Sequence, residues 1–346
     1  MKKDHPATVI TLLVGLAGGG LARLLGFPAS ALLGSTLFVS AAALLGQPMR
    51  TPTWLRNIAF TVIGCSLGSG FTPDFLAHAA LWPVSLLLLT LTLVLIMVCS
   101  SWILTRFFGH SWETAVLSSS PGGLSFAIAL AESGAGDGRA ISVIQSLRLL
   151  FIVLGLPPLL YLIGLNGGHP ESGTKILLGH DQAIFLFLGA YLLGGVGSKR
   201  GVPAAYLVSG MILSGGLHGC GILSGIFPLY LLNMGFVITG SVIGSRFQGM
   251  TMGDLRHFMG AAMLSILGAI VFSAAAAFLI SRYLAIPFGQ VWVAYVPGGV
   301  EAMAAMAFSL GYDATFVATH HLFRILVLIV LLPLFLKMVR NHGTLR

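Results

Sequence analysis

Long apolar runs separated by short polar punctuation dominate the chain. From Leu81 to Thr105 no residue carries a charge, and such a run is long enough to cross a hydrocarbon core of roughly 30 Å. Similar stretches fall at 8–22, 28–46, 57–73, 140–165, 182–197, 203–221, 226–244, 258–281 and 316–336, which predicts ten membrane helices. Two further segments, 113–132 and 289–309, are apolar but interrupted by Pro-Gly-Gly. Proline lacks an amide hydrogen and glycine weakens a helix, so a break is expected in each, with helix restarting at the proline. A polar stretch, Asn166 to Asp181, separates the two sets of runs.

The punctuation repeats. Pro121-Gly122-Gly123 returns 176 positions later as Pro297-Gly298-Gly299. The same shift carries Gly64 to Gly240, Gly68 to Gly244, Phe71 to Phe247, Asp137 to Asp313, Arg148 to Arg324 and Pro157 to Pro333. The chain therefore reads as a first repeat over 1–165, a linker over 166–181 and a second repeat over 182–346. Duplicated halves with interrupted helices are the sequence mark of secondary transporters.

Composition sharpens the compartment. Hydrophobic residues make up 56% of 346 and charged residues 8%, with a mean hydropathy of +0.96, which places the chain in a bilayer. The net charge of +8 comes from basic residues scattered in the loops, where they act as orientation signals and give no nucleic-acid face. If both interrupted segments are re-entrant, each half has five spans and the second half is inverted. The inner side then holds 13 Lys and Arg and the outer side 3; with full crossings the division is 10 to 6. The positive-inside rule favours the inverted arrangement, with both termini cytoplasmic at the inner (plasma) membrane. The expected fold class is an all-α integral membrane protein of two inverted repeats of about five transmembrane helices, each with a re-entrant or broken Pro-Gly-Gly helix. Cys65, Cys99 and Cys220 have no paired spacing and are expected to be buried structural thiols. Met1-Lys2-Lys3 and the following apolar stretch read as a first membrane helix, since no small-x-small cleavage site follows.

Candidate chemistry gathers at the breaks. Glycine amides after a helix break, those of Gly122 and Gly123 and of Gly298 and Gly299, suit an anion because they sit at positive helix ends. A kink or a close helix crossing is the plainer alternative. Arg148 and Arg324 lie inside apolar helices, at a cost of at least about 2.5 kcal/mol each unless they face partners. They either clamp a carboxylate or pin the broken helix by capping its carbonyls or pairing with Glu132 or Glu301. Glu301 has no acidic counterpart in the first half, where Ser125 stands, and is the candidate for a coupled proton or cation. A fixed salt bridge is its alternative. Asp137 and Asp313 precede long helices and are read as N-caps. His320 and His321 point about 100° apart, a poor chelate; Gln145 stands at the position of His321, so neutral hydrogen bonding is expected there, with a proton relay as the alternative. Gly64 and Gly68 with their copies have the small-xxx-small spacing of close helix packing. Ser120 joins the candidate site at the first break.

From Ser120 through Asp137 and Gln145 to Arg148, and from Pro297 through Glu301, Gly311-Tyr312-Asp313 and His320-His321 to Arg324, the chain resembles the bacterial membrane AbrB-duplication family. The resemblance covers nearly the whole chain. Members are labelled ammonia monooxygenase or transcriptional regulator, which implies an enzyme or an effect on gene expression. The residues support neither: no polar domain is large enough to bind DNA, and no histidine cluster suits a metal. The expected function is secondary transport of a small anionic solute, a carboxylate, coupled to H+ or Na+. The alternatives are a membrane-embedded regulator or sensor acting indirectly on gene expression and, behind it, a membrane monooxygenase. No enzyme activity, cofactor or metal is expected. Expected partners are the anionic solute and the lipid bilayer, with no direct nucleic acid and with a homo-oligomer left open.

Overall fold

The computed structural model describes residues 4–71, 81–121, 127–128, 130–131, 134–165 and 177–343. Every regular element among them is helical. They are α1 (Asp4–Leu24), α2 (Ser30–Leu44), α3 (Thr53–Gly68), α4 (Trp82–Phe108), α5 (Trp112–Ser119) and α6 (Gly138–Leu162), then α7 (His180–Lys199), α8 (Ala205–Gly219), α9 (Leu229–Ser245), α10 (Met252–Leu284), α11 (Phe288–Tyr295), α12 (Val300–Leu310) and α13 (Ala314–Gly343). One isolated bridge pairs Leu177 with Ile226.

Each of the ten apolar runs is a helix. Six of them, α1, α4, α6, α7, α10 and α13, are long and apolar enough to cross a membrane. The others, α2, α3, α8 and α9, have 15, 16, 15 and 17 residues, which at 1.5 Å per residue is about 22–26 Å. The helix boundaries keep the repeat: α3 and α9, α5 and α11, and α6 and α13 each begin 176 positions apart. Even the unusual caps recur, with Ala29 and Ala204 preceding α2 and α8 at φ 51° and 48°.

The chain forms two compact units, and neither is a sequence half. The first takes Met1–Trp82, Val153–Gly249 and Val300–Ala318; the second takes Pro83–Ile152, Met250–Gly299 and Thr319–Arg346. In the first unit α3 packs on α8, and α9 packs on α2 and α3. Glycine makes these approaches close. A Cβ at Gly64 would stand 2.2 Å from the Leu207 carbonyl oxygen, and one at Gly240 would stand 1.9 Å from Ser35 Oγ. The repeat exchanges these contacts, since it carries α3 to α9 and α2 to α8. Small-xxx-small spacing thus does the work expected of it.

The second unit contains a core of Leu93, Met97, Val116, Leu117, Ala127, Ala131, Ile141, Leu328 and Leu332. Here α10 packs on α11. At one edge Arg139 donates to both carboxylate oxygens of Asp254, at 3.0 and 2.7 Å. Asp254 also completes a capping box with Thr251 at the start of α10. Of the three cysteines, Cys65 is buried as expected, Cys99 is half-buried, and Cys220 is exposed. Cys220 departs from the expectation because it forms the C-terminal cap of α8, where the helix ends.

Candidate functional site

Both short helices stop for the same local reason. Ser120 and Val296, the residues before Pro121 and Pro297, are extended, with φ, ψ of −61°, 119° and −62°, 141°. Proline disfavours α conformation in the residue that precedes it. The second break runs from Val296 to Gly299, where the Gly298 amide turns back onto the Val296 carbonyl at 2.9 Å. Helix resumes at Val300 and not at the proline as the sequence suggested. The tight turn delays it. In the first copy Gly122 and Gly123 lie outside the described residues, as does Glu132.

A helix end leaves carbonyls without donor partners, and the arginines supply them. Arg148, 5% exposed, donates through Nη1 to the Ser118 and Ser119 carbonyls, both at 3.2 Å, and through Nη2 to Ser120 at 2.8 Å. Arg324, 2% exposed, donates through Nη1 to Val296 at 3.1 Å and through Nη2 to Gly298. Three residues before each arginine a second donor repeats the pattern. Gln145 Nε2 donates to the Leu117 carbonyl at 2.7 Å, with Ser120 Oγ at 3.3 Å. His321 Nε2 donates to the Val293 carbonyl at 2.9 Å. Leu117 and Val293 are 176 positions apart, and so are Ser120 and Val296. The duplication therefore preserves individual side-chain hydrogen bonds.

Of the alternatives the sequence left open, these contacts are those of carbonyl caps. Charge-assisted donation to several carbonyls is a compact way to stabilise a negative helix end inside a bilayer. The aspartates serve the following helices as expected. Asp137 Oδ1 accepts from the Arg139 and Ala140 amides at 2.8 and 3.2 Å. Asp313 Oδ1 accepts from those of Thr315 and Phe316 at 2.9 and 3.1 Å.

Ser120, Gln145, Arg148, Gly298, Gly299, His321 and Arg324 all belong to the second compact unit, whereas Glu301 belongs to the first. Glu301 is half-buried in the first turn of α12, where negative charge suits the helix dipole. Its electrostatic partner is Arg246, just beyond α9. Burial lowers the Arg246 guanidinium from its ordinary value, the Glu301 carboxylate raises it, and the nearby Arg56 guanidinium lowers it. No group of three or more metal-ligating side chains occurs among the described residues.

Sequence reasoning passed over one polar cluster in the second unit. Ser85, inside the charge-free run, lies 2.8 Å from His320 Nε2 and 3.1 Å from the Tyr295 hydroxyl. Tyr295 in turn donates to the Ser85 carbonyl at 2.5 Å. Ser85 and His320 are fully buried and Tyr295 is 2% exposed. A serine in an apolar run gives no signal by itself; the paired histidines did draw notice, without indicating a partner.

The family model described as "Transition state regulatory protein AbrB" matches residues 31–340. A protein of Escherichia coli (strain K12) named "Putative regulator AbrB" is 24% identical over 320 residues, 91% of each chain. "Uncharacterized protein YhjN" of Bacillus subtilis (strain 168) is 23% identical over 372 residues, 99% of this chain and 96% of its own. With the helical membrane-type fold, the duplicated breaks and a family match spanning most of its length, the chain belongs to the AbrB family.

Proposed function

We propose that the protein is a secondary transporter of a small anionic solute, a carboxylate, coupled to H+ or Na+ in the bacterial inner membrane. The observation that carries this reading is the duplicated helix break, each copy held open by a buried arginine, Arg148 or Arg324. A continuous helix satisfies its own backbone, so a break kept at the cost of a buried charge is a feature to be explained. Transporters use such breaks to bring helix ends to a solute near the membrane midplane. In this reading the anion meets amides that follow the breaks, those of Gly122, Gly123, Gly298 and Gly299. Arg148, Arg324, Gln145, His321 and Ser120 hold the breaks in shape, and Glu301 is the acidic candidate for the coupled ion. The chain has ten spans in two inverted halves of five, 1–165 and 182–346 joined by 166–181, with both termini cytoplasmic. The exchange of contacts between α3–α8 and α9–α2 supports a two-fold relation between the halves.

The test is solute binding and uptake by the purified full chain. A panel of small carboxylates, amino acids and amines is screened by thermal stabilisation, and the responding class is then followed by uptake into proteoliposomes. Carboxylate-specific stabilisation and uptake support the proposal; an absence of both across the panel ends it. A second reading, a membrane-embedded regulator of gene expression, is favoured by the name of the Escherichia coli relative. It predicts altered transcript levels on deletion that persist when uptake is abolished by mutation.

A further inference from the structure

The frame at the breaks obeys the repeat, but the Ser85–Tyr295–His320 cluster does not. Shifted by 176 positions, Ser85 becomes Ala261, while Tyr295 and His320 correspond to Ser119 and Ile144. Nothing in the shared capping pattern requires the cluster: His321 and Arg324 make the capping bonds of α11, and His320 faces Ser85 on α4. Three polar groups buried in one apolar unit are costly to desolvate unless they bond one another. Their arrangement has a further property.

The Tyr295 hydroxyl hydrogen is committed to the Ser85 carbonyl at 2.5 Å, which leaves its oxygen as an acceptor. The single Ser85 hydroxyl hydrogen can then take either of two directions. When His320 Nε2 carries no proton, Ser85 donates to it across 2.8 Å. When Nε2 carries a proton, it donates to Ser85 Oγ, and Ser85 rotates to donate to Tyr295 across 3.1 Å. In both states each hydroxyl hydrogen has an acceptor, and the change between them is rotation of the Ser85 hydroxyl, which bonds Tyr295 only when Nε2 carries its proton. A buried imidazole thus accepts or gives up a proton without leaving Ser85 or Tyr295 unsatisfied.

We infer that His320, poised by Ser85 and Tyr295, is the protein's proton-binding site, and that its proton accompanies an anionic solute. Among the described residues, the titratable and charged groups beside it include Tyr295 from α11 and, on its own helix, His321 and Arg324. Arg324 is four residues on and so shares its face. A proton on His320 places a second positive charge there, and a solute carboxylate offsets it. One proton is taken from water with each solute and returned to water on the other side. This inference rests on the transporter reading and assigns the coupled proton to His320 in place of Glu301.

Calorimetric titration of the purified full chain with succinate and citrate, in two buffers of different ionisation enthalpy, counts the protons taken up on binding. Wild type is expected to take up about one proton per solute. His320→Gln, which keeps a hydrogen-bonding group facing Ser85, is expected to bind the solute with that uptake lost. Tyr295→Phe removes the alternative acceptor and is expected to reduce the uptake; it also serves if His320→Gln fails to fold. Glu301→Gln is expected to retain it. Uptake unchanged in both His320→Gln and Tyr295→Phe, or lost in Glu301→Gln alone, overturns the assignment. Wild-type binding without proton uptake also overturns it while leaving the transporter reading intact. Failure of wild type to bind any carboxylate, with no uptake in proteoliposomes, removes both.

Discussion

At the scale of single residues, the two buried arginines act on the backbone of the broken helices. Arg148 donates to three carbonyls, those of Ser118, Ser119 and Ser120. Removing it strands acceptors in an apolar interior, at about 1–3 kcal/mol for each one left without a partner. Arg148→Ala and Arg324→Ala are therefore expected to lower the thermal unfolding midpoint in detergent even with no solute present. Arg148→Lys should fail to restore it, because one ammonium cannot reproduce a planar fork. Equal midpoints for wild type and the alanine variants would show the caps to be dispensable. A second residue-scale expectation concerns His110, in the loop after α4 and stacked on Phe258 at 5.9 Å. Burial lowers its imidazole from the ordinary value, Asp137 raises it, and His257 lowers it. Its NMR titration midpoint is expected below that of a free imidazole. Asp137→Asn, which can still cap α6, should move it further down and His257→Ala should move it up. The signs follow from the charge removed in each case.

Helices were more legible than their ends. Ten apolar runs gave ten helices because hydropathy acts along the sequence itself. The breaks at Pro121 and Pro297 were legible as well, since proline and glycine act on their neighbours. What held the breaks was legible only as one of two alternatives, a carbonyl cap or a ligand clamp. Whether Arg148 meets a carbonyl or a ligand depends on where α5 ends relative to α6, a fact of packing that spacing does not encode. Ser85 and His320 are 235 positions apart, and only the fold joins them. Helix packing supplies a prediction of its own at Gly64. A Cβ there would lie 2.2 Å from the Leu207 carbonyl oxygen, whereas one at Gly20 would meet nothing within 4 Å. Gly64→Ala must push α3 and α8 apart and is expected to lower the unfolding midpoint. Gly20→Ala removes backbone freedom from α1 without a clash and is expected to leave the midpoint unchanged or raised. The reverse ranking would mean that α3 and α8 do not approach at Gly64.

For the whole molecule, the charges make two ways for a duplicated chain to cross the bilayer experimentally distinct. With five spans per half, the end of α7 at Arg200 is cytoplasmic and the end of α10 at Arg282 is outside. With six full crossings per half, both assignments reverse. Arg200 and Arg282 are both exposed, so a cysteine at either position is accessible to reagent on its own side. In a background with Cys65, Cys99 and Cys220 replaced, Arg282→Cys is expected to react with an impermeant maleimide added to intact cells. Arg200→Cys is expected to react only after the membrane is opened. The opposite pattern would make the repeats parallel and turn both Pro-Gly-Gly segments into parts of full crossings. The inverted result would instead relate the halves by an axis in the membrane plane, so that the breaks capped by Arg148 and Arg324 approach the midplane from opposite sides. In that geometry a frame that repeats bond for bond has a mechanical use: two equivalent breaks can exchange roles as access alternates. His320, which the repeat does not copy, would then give the exchange its coupled proton.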